Sequence, residues 1–421
     1  MTKKILAHAA QLVTCSGSKA KRGSDMNDLH IIEDGAVIIT DDMISAVGTT
    51  EELLPKAVGA EIIDCCGKAV LPGFVDSHTH FIFGGYRPLE FSWRLSGVSY
   101  MEIMKRGGGI NATTIPTRTA SLEQLKIDGK KRLSSMLSYG VTTVEGKSGY
   151  GLDADTEIKQ LEAMRQLNQE HPIDIVTTFM GAHSVPSEFS GRTDDYVDYI
   201  IAEVLPAVAA GKLAEFCDVF CEADVFDIEQ SRRLLLAAKD HGMKIKLHAD
   251  EIIRIGGTEL AAELGAVSAD HLLQASDKGI GMMAEKGVIA TLLPATAFSL
   301  KEPYARARKM IDSGCAVAMA TDFNPGSCFT NSVPLLFALA TIYMGMTIEE
   351  AVTAMTINGA AALKREEEIG SIDAGKKADI IVLEFPSYQF LHYHFAVNIV
   401  ERVFKSGELV YDKRKCHGEQ L

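Results

Sequence analysis

Short apolar runs alternate with longer amphipathic segments through the middle of the chain. Between residues 66 and 330, each β-rich run is separated from the next by a segment with the spacing of an α-helix. Alternating strands and helices predict parallel βαβ units, and eight consecutive units predict a closed (β/α)8 TIM barrel. The eight runs are AVLPGFVDSH, GVTTVEG, DIVTTFMGAH, CDVFCEAD, KIKLHAD, VSADHLL, VIATLLP and AVAMATDFN.

The two ends of the chain have a different pattern. Both contain short strand-like runs separated by turn residues, such as GAVIITDDMISAVG near the start and KKADIIVLEF near the end. Neither flank is long enough to bury a sizeable core alone. We therefore predict that residues 1–66 and 367–421 together form a small β-sandwich domain, and that residues 67–366 form the barrel.

The composition of the chain argues against nucleic acid and membrane as binding partners. A formal net charge of −14 argues against a nucleic-acid binder, which needs a basic surface to neutralise phosphates. No apolar run is long enough to span a membrane, and the opening segment MTKKILAHAAQLVTC is interrupted by His8 and Gln11, so we interpret it as a strand. Eight cysteines without disulfide spacing predict a reduced, cytoplasmic protein. We expect a small-molecule substrate, and a homodimer is a further expectation.

Residues with metal-binding side chains follow the predicted strands. His78 and His80 close the first run, and positions i and i+2 of an extended strand face the same way. Further residues of this kind end the third, fifth, sixth and eighth runs, namely His183, His248, His271 and Asp322. The strands of a parallel barrel share one C-terminal rim, where active sites are built. We therefore predict that these side chains meet.

The donor types suit a catalytic metal ion. Zinc takes nitrogen and oxygen ligands and keeps one position for water, and iron(II) or manganese accepts the same donors. Such an ion lowers the pKa of its water towards about 7. The fourth run ends in Cys221 and Glu222, with no lysine that could be carboxylated to bridge two metals, so one metal ion is predicted. The predicted ligands are His78, His80, His248 and Asp322.

These positions resemble the metal-dependent amidohydrolase superfamily, which has VDSHTH after strand one, histidines after strands five and six, and aspartate after strand eight. Within it, the chain resembles the imidazolonepropionase family. The resemblance implies hydrolysis of the ring amide of 4-imidazolone-5-propanoate to N-formimidoyl-L-glutamate in histidine degradation, with one divalent or trivalent metal ion, zinc or iron. The matching stretches are FGGYRPLEF, GGGINATTIPTRTAS, KSGYGL, FMGAHSVP, HADE and ATDFNPGS.

The resemblance also implies roles for individual residues. The residues that would bind substrate are Arg87, Tyr150, His183, Glu251, Asn324, Gly326 and Ser327. The residues that would act in catalysis are Glu251, His271 and Asp322, with His271 beside the attacking water. Chemistry supports this set, because a propionate tail needs a cation and a guanidinium matches a carboxylate with two hydrogen bonds.

Alternatives remain open at this point. Arg87 would have a structural role if it only paired with Glu90, and His183 would if it were a core histidine bonded to backbone. Tyr150 lies between two glycines, where a loop tip is as compatible as a pocket. The GGGI stretch at 107–110 is not predicted to bind phosphate, because no strand precedes it and no GK[ST] follows.

Two other functions fit parts of the sequence. A deaminase of the same superfamily, acting on a cyclic amidine such as a purine or pyrimidine, would have nearly the same metal ligands. A non-catalytic metal-binding barrel would share them too, but it would not need the histidine predicted beside the water. A metal analysis combined with a turnover assay separates these functions.

Overall fold

The computed structural model describes residues 2–98 and 100–416, without the side chains at positions 100, 101, 104 and 416. The side chain of Cys416, one of the eight cysteines predicted to be reduced, therefore lies outside the described part. Two sheets contain all the strands of the described part. The strands are β1 (Lys3–Val13), β2 (Ile31–Thr40), β3 (Met43–Thr49), β4 (Glu61–Asp64), β5 (Ala69–Pro72), β6 (Phe74–Asp76), β7 (Val141–Lys147), β8 (Asp174–Ala182), β9 (Phe216–Cys221), β10 (Lys244–Ala249), β11 (Ser268–His271), β12 (Ile289–Leu292), β13 (Val317–Met319), β14 (Ile380–Leu383), β15 (Val400–Lys405) and β16 (Glu408–Asp412).

The helices connect the strands, and α18 is the last element of the described part. None of those described is long and apolar enough to cross a membrane. Short 3₁₀ turns lie at Gly23–Asn27, Leu54–Lys56 and Ser187–Phe189, and a π-helical turn lies at Ile200–Val204. The α-helices are α1 (Thr50–Leu53), α2 (Pro88–Leu95), α3 (Tyr100–Lys105), α4 (Asn111–Thr119), α5 (Leu122–Ser138), α6 (Ala154–Glu170), α7 (Thr193–Tyr199), α8 (Leu205–Ala210), α9 (Ile228–Asp240), α10 (Gly257–Leu264), α11 (Asp277–Lys286), α12 (Pro294–Leu300), α13 (Ala307–Asp312), α14 (Val333–Tyr343), α15 (Ile348–Met355), α16 (Ile357–Ala362), α17 (Phe390–Tyr393) and α18 (Lys413–Cys416).

The predicted barrel is confirmed. Strands β6 to β13 pair with their neighbours in chain order, and every pair is parallel. The first and last strands meet just beyond their ends, where Thr79 and Phe323 form a parallel bridge. The His80 amide donates to the Phe323 carbonyl at 2.9 Å and the Asp322 amide donates to the His78 carbonyl at 3.0 Å. The seam of the barrel is thus closed by residues of the predicted metal site.

The first predicted run, AVLPGFVDSH, is wrong as a single strand. Ala69–Pro72 pairs with β1 and β14 in the terminal sheet, and only Phe74–Asp76 joins the barrel. The break falls at Gly73, where a Cβ atom would overlap the side chain of Thr142, so the glycine permits the chain to pass between the sheets. The division of the chain into domains at 1–66, 67–366 and 367–421 stays a prediction.

Both termini build the second sheet, as predicted. Its strand order is β16-β15-β14-β5-β1-β2-β3, and β4 also pairs with β1. Val37 and Ile39 of β2 pack in one hydrophobic cluster with Phe404 of β15, although three strands separate β2 from β15 in the sheet. The sheet therefore folds over to enclose its own small core. None of its described residues lines the cavity at the C-terminal rim of the barrel.

Candidate active site

Four histidines and one aspartate converge at the C-terminal rim of the barrel, and all five are buried. The His78 ring centroid lies 4.5 Å from that of His248 and 5.4 Å from that of His80. The His271 ring lies 5.0 Å from the His248 ring. Oδ1 of Asp322 is 3.5 Å from Nε2 of His78 and 3.7 Å from Nε2 of His80. The structure thus brings the predicted ligands to one place.

This cluster has the properties of a metal centre. Nε2 of His78 is buried without a hydrogen-bond partner, and a buried orphan nitrogen among other acceptors calls for a cation. Ligand atoms of His78, His80 and Asp322 lie within 4.8 Å of one another, and so do those of His78, His248 and His271. Burial lowers the pKa of His78 and of His80 well below the usual value, which favours the neutral form that binds metals.

Two buried carboxylates orient the histidines. Nδ1 of His78 lies 2.6 Å from Oδ2 of Asp270, and Nδ1 of His248 lies 3.0 Å from Oδ2 of Asp218. The His248 amide also donates to Oδ1 of Asp218 at 3.1 Å. The contact with Asp270 holds the proton on Nδ1 of His78 and leaves its Nε2 lone pair for a metal.

A buried lysine joins these two carboxylates from below. Nζ of Lys147 lies 2.7 Å from Asp218, 3.0 Å from Glu145 and 3.7 Å from Asp270, and all four side chains are fully buried. Burial lowers the pKa of Lys147, but the carboxylates of Asp218 and Glu145 outweigh it and raise the pKa above the ordinary value. A second buried lysine, Lys246, donates to Glu145 at 2.9 Å. The barrel interior therefore contains a network in which two lysines balance buried carboxylates, next to the cluster of histidines and Asp322.

Lys147→Met is expected to lower the free energy of unfolding by about 3–5 kcal/mol, because it leaves buried carboxylates without their cation. Urea unfolding of the two proteins measures the difference. Lys131→Met is the matched control, since that side chain is 74% exposed and should change stability by less than about 0.5 kcal/mol. An equally small change in Lys147→Met would contradict a compensating role for this lysine.

A cavity of about 370 Å³ opens above the metal cluster. All seven residues predicted to bind substrate line it, together with two residues of α2, Glu90 and Arg94. Tyr150 is buried, and its ring meets the rings of His80 and His183 edge-on, so the alternative of an exposed loop tip is wrong.

His183 is bonded to the backbone, as a core histidine would be, and it also lines the cavity, as a substrate-binding residue would. Its Nδ1 lies 3.0 Å from the Gly149 carbonyl, which only a donor can satisfy, and its ring stacks on His80 at 4.8 Å. Burial lowers the pKa of His183 to about 3, so the ring is neutral. Nε2 is then an acceptor at the wall of the cavity.

Arg87 is paired with Glu90, the alternative considered from the sequence, and also lines the cavity. Its Nε donates to Oε2 of Glu90 at 2.9 Å and its Nη2 donates to Oε1. Its Nη1 faces Gly326, where a Cβ atom would overlap it. The Gly109 amide donates to Oε2 of Glu90 at 2.7 Å, so the glycine run at 107–110 holds a carboxylate of the chain itself.

Glu251 and His271 lie next to each other beside the cluster. Oε1 of Glu251 is 3.4 Å from Nδ1 of His271. Burial, reinforced by the carboxylates of Asp322 and Glu222, raises the pKa of Glu251 well above the usual value, whereas burial lowers the pKa of His271. Glu222 accepts the amides of Ile252 and Ile253 at 2.8 and 3.0 Å and so fixes the loop that carries Glu251. Burial thus favours the protonated form of Glu251 and the neutral form of His271.

The loop after β13 forms another wall of the cavity. Oδ1 of Asn324 accepts the amides of Gly326 and Ser327 at 2.9 and 2.8 Å, and its Nδ2 donates to the Asp322 carbonyl at 2.7 Å. The Asn324 amide is therefore used to shape the loop. Asp322 and His271 have φ values of 50° and 73°, a left-handed conformation that costs free energy and recurs at functional sites.

Four residues of the site escaped the sequence analysis, namely Arg94, Lys147, Asp218 and Asp270. Three of them lie within predicted strands or at their ends. A charged residue inside a strand that is buried along its whole length must be paired, and this signal was available for Lys147 and Asp218. Arg94 gave no such signal, because an arginine on a helix is usually at the surface.

Comparisons with known proteins agree with this geometry. The sequence profile of the amidohydrolase family matches residues 69–410. The imidazolonepropionase of Clostridium tetani is 62% identical over 411 residues, which cover 97% of this chain and 98% of that protein. The imidazolonepropionase of Parabacteroides distasonis is 61% identical and covers 97% and 99%. The chain belongs to the imidazolonepropionase family of amidohydrolases.

Solved structures show the fold of this imidazolonepropionase-family chain. Escherichia coli guanine deaminase aligns with a TM-score of 0.73 at 17% identity, over 98% of this chain and 100% of that one. A zinc-bound adenosine deaminase of Xanthomonas campestris aligns with a TM-score of 0.71 at 19% identity, over 98% and 94%. Identities this low speak for the fold alone. Membership of the family makes the chain a metal-dependent hydrolase, as the sequence predicted.

Proposed function

We propose that this chain hydrolyses the ring amide of 4-imidazolone-5-propanoate to N-formimidoyl-L-glutamate, a step of histidine degradation. The observation that carries the proposal is one cavity with a histidine and aspartate cluster at its floor and guanidinium groups at its side. This layout suits a ring with a negatively charged tail. The deaminase alternative is not favoured, because the deaminases share only the fold, whereas relatives at 62% and 61% identity are imidazolonepropionases.

The metal ion would be zinc or iron. Its proposed ligands are His78, His80, His248 and Asp322, whose nitrogen and oxygen donors suit either ion. When bound, the metal supplies Lewis acidity, which activates water and polarises the substrate carbonyl. Elemental analysis of purified protein, before and after reconstitution, distinguishes the two metals.

The residues around the cluster would orient the substrate and move its protons. Tyr150 and His183 form a wall for the ring, and Arg87 faces the tail. His271, being neutral, accepts a proton from the attacking water. The bond between the carbonyl carbon and the ring nitrogen then breaks, and Glu251 donates a proton to that nitrogen. Return of the proton from His271 to Glu251 would restore both groups. Nδ1 of His271 and Oε1 of Glu251 lie 3.4 Å apart without a hydrogen bond, so the two groups must approach each other for this step.

A direct assay tests the proposed function. Metal-replete protein is incubated with freshly prepared imidazolone propionate, and loss of its ultraviolet absorbance is followed while mass spectrometry identifies the product. Formation of N-formimidoyl-L-glutamate supports the proposal. No turnover with either zinc or iron, or release of ammonia from a purine at a higher rate, would overturn it.

Arg87→Gln is expected to lower kcat/KM about ten- to a hundredfold, because a charge-assisted hydrogen bond contributes about 1.5–3 kcal/mol. A ring analogue without the carboxylate should be a poor substrate and lose little further. Metal content should not change. The matched control is Arg192→Gln, which removes another i,i+3 ion pair, at an exposed position away from the cavity. An equal loss for both substrates would show that Arg87 does not bind the tail.

Two further proposals concern the state of the protein. We propose a cytoplasmic location, which the seven unpaired cysteines among the described residues support.

We also propose a homodimer, and sedimentation of purified protein at several concentrations tests it. A single species of 45.6 kDa at all concentrations would contradict the dimer.

A further inference from the structure

Arg94 is a cation in the wall of the substrate cavity that forms no ion pair with a carboxylate of the described residues. Glu90 attracts it only from a longer distance and is already paired with Arg87. Within the described part of the chain, no carboxylate oxygen lies within 4.0 Å of its guanidinium, and its two hydrogen bonds are long. Nη1 donates to the Gly326 carbonyl at 3.4 Å and Nη2 to the Ser299 hydroxyl at 3.2 Å. Nε is buried without any partner. A half-buried guanidinium in this condition calls for an anion.

The neighbouring guanidinium is different. Arg87 makes two hydrogen bonds to Glu90, so the charges of this pair cancel within the chain. Arg94 therefore carries the net positive charge of this side of the cavity. A substrate with one carboxylate brings one negative charge, which the paired Arg87 alone would not balance.

The two guanidinium groups meet at one glycine. Nη1 of Arg87 lies too close to Gly326 for a Cβ atom to fit there, and Nη1 of Arg94 donates to the carbonyl of the same residue. Both arginines line the cavity, with Ser327 next to them. A carboxylate above Gly326 would therefore be within reach of both cations. Arginines suit this task, because they remain charged and offer several donors in one plane.

We propose that Arg94 is the residue that selects for an anionic tail, with Arg87 as the group that orients it. The inference rests on the proposed function, since it names the part of the substrate that this side of the cavity recognises. Arg94 supplies the uncompensated charge, so neutral rings such as purines gain nothing from it. Glu90 fixes the guanidinium of Arg87, which would orient the carboxylate of the tail.

Ligand binding tests the proposal without turnover. The probes are imidazole-4-propionate, which has the ring and the charged tail, and 4-ethylimidazole, which has the ring and no charge. Isothermal titration is carried out on metal-loaded wild type and Arg94→Gln. The variant should bind imidazole-4-propionate about ten- to a hundredfold more weakly and 4-ethylimidazole within about twofold of wild type. Arg94→Lys should recover most of the difference.

Controls keep the outcome decisive. Arg165→Gln removes an exposed arginine, 53% exposed, that pairs with Glu162 on α6 and should change neither affinity. If Arg94→Gln does not fold, Arg94→Met is measured in its place, because it also removes the charge and must lose the preference for the charged probe. Equal weakening of both probes would reveal a merely structural role.

Failure of this inference is distinguishable from failure of the proposed function. Wild-type affinity of Arg94→Gln for imidazole-4-propionate overturns the role of Arg94, even if wild type hydrolyses imidazolone propionate. Absence of hydrolysis by wild type overturns the function, even if Arg94→Gln loses affinity for the charged probe. In that second case Arg94 would still bind the carboxylate of another substrate.

Discussion

His248→Ala should contain no bound metal after purification and should show no measurable hydrolysis of imidazolone propionate. Loss of a residue that only orients a ligand weakens metal binding about 10- to 100-fold, and loss of the ligand itself is more severe. His248 also touches the rings of His78 and His271, so its removal opens the centre of the cluster. Elemental analysis and the absorbance assay measure both effects. Prolonged chelation of wild type should have the same consequence, and added zinc or iron should reverse it.

His241→Ala is the matched control for this experiment. That histidine is exposed at the C-terminal end of α9, away from the cavity. It should keep wild-type metal content and turnover. Full activity of chelated protein, verified as metal-free, would show that the cluster serves another purpose.

His271→Ala should reduce kcat by about 10²- to 10⁴-fold while the protein keeps its metal, because a general base contributes about that much. The expectation follows from its position beside Glu251 and from the neutral state that burial imposes on the ring. The measurement is kcat over a range of pH, with metal content determined on the same sample. His394→Ala, at an exposed position at the end of α17, is the control.

Two results would change the assignment of His271. If the variant loses its metal, His271 is a ligand, which its place in a group of three with His78 and His248 makes chemically reasonable. If the variant keeps wild-type kcat, another group takes the proton, and Asp322 is the first to test. Glu251→Gln should lower kcat as well and leave metal content unchanged.

Most of the fold followed from the sequence, because its signals are periodic. Each of the eight runs contributed one barrel strand, and the histidines at their ends share one rim because parallel strands end on the same side. The exception was the first run, where a glycine divides two strands of different sheets. The only sign of the division in the sequence is the Pro72-Gly73 pair, because both strands are buried and the rest of the run is continuously apolar up to Asp76.

The site was predictable only where one residue type implies one role. Histidines and an aspartate at strand ends imply a metal, so the cluster was found from the sequence. Glu90 pairs with Arg87 and leaves the charge of Arg94 without an ion-pair partner among the described residues. Which arginine Glu90 pairs with depends on distances that the spacing of residues in the sequence does not reveal. The charge network around Lys147 joins β7, β9 and β11, which are far apart in sequence.

The hydrogen bonds that close the barrel are made by residues that carry proposed metal ligands. The first and last strands are held together by amides and carbonyls of His78, His80, Asp322 and Phe323, three of which carry proposed ligands. These strands therefore cannot separate without pulling the ligands apart. The free energy of metal binding at such a site also contributes to the free energy of folding, so a metal ion bound there would stabilise the closed barrel. Without a metal ion, the barrel is then expected to open first between β6 and β13.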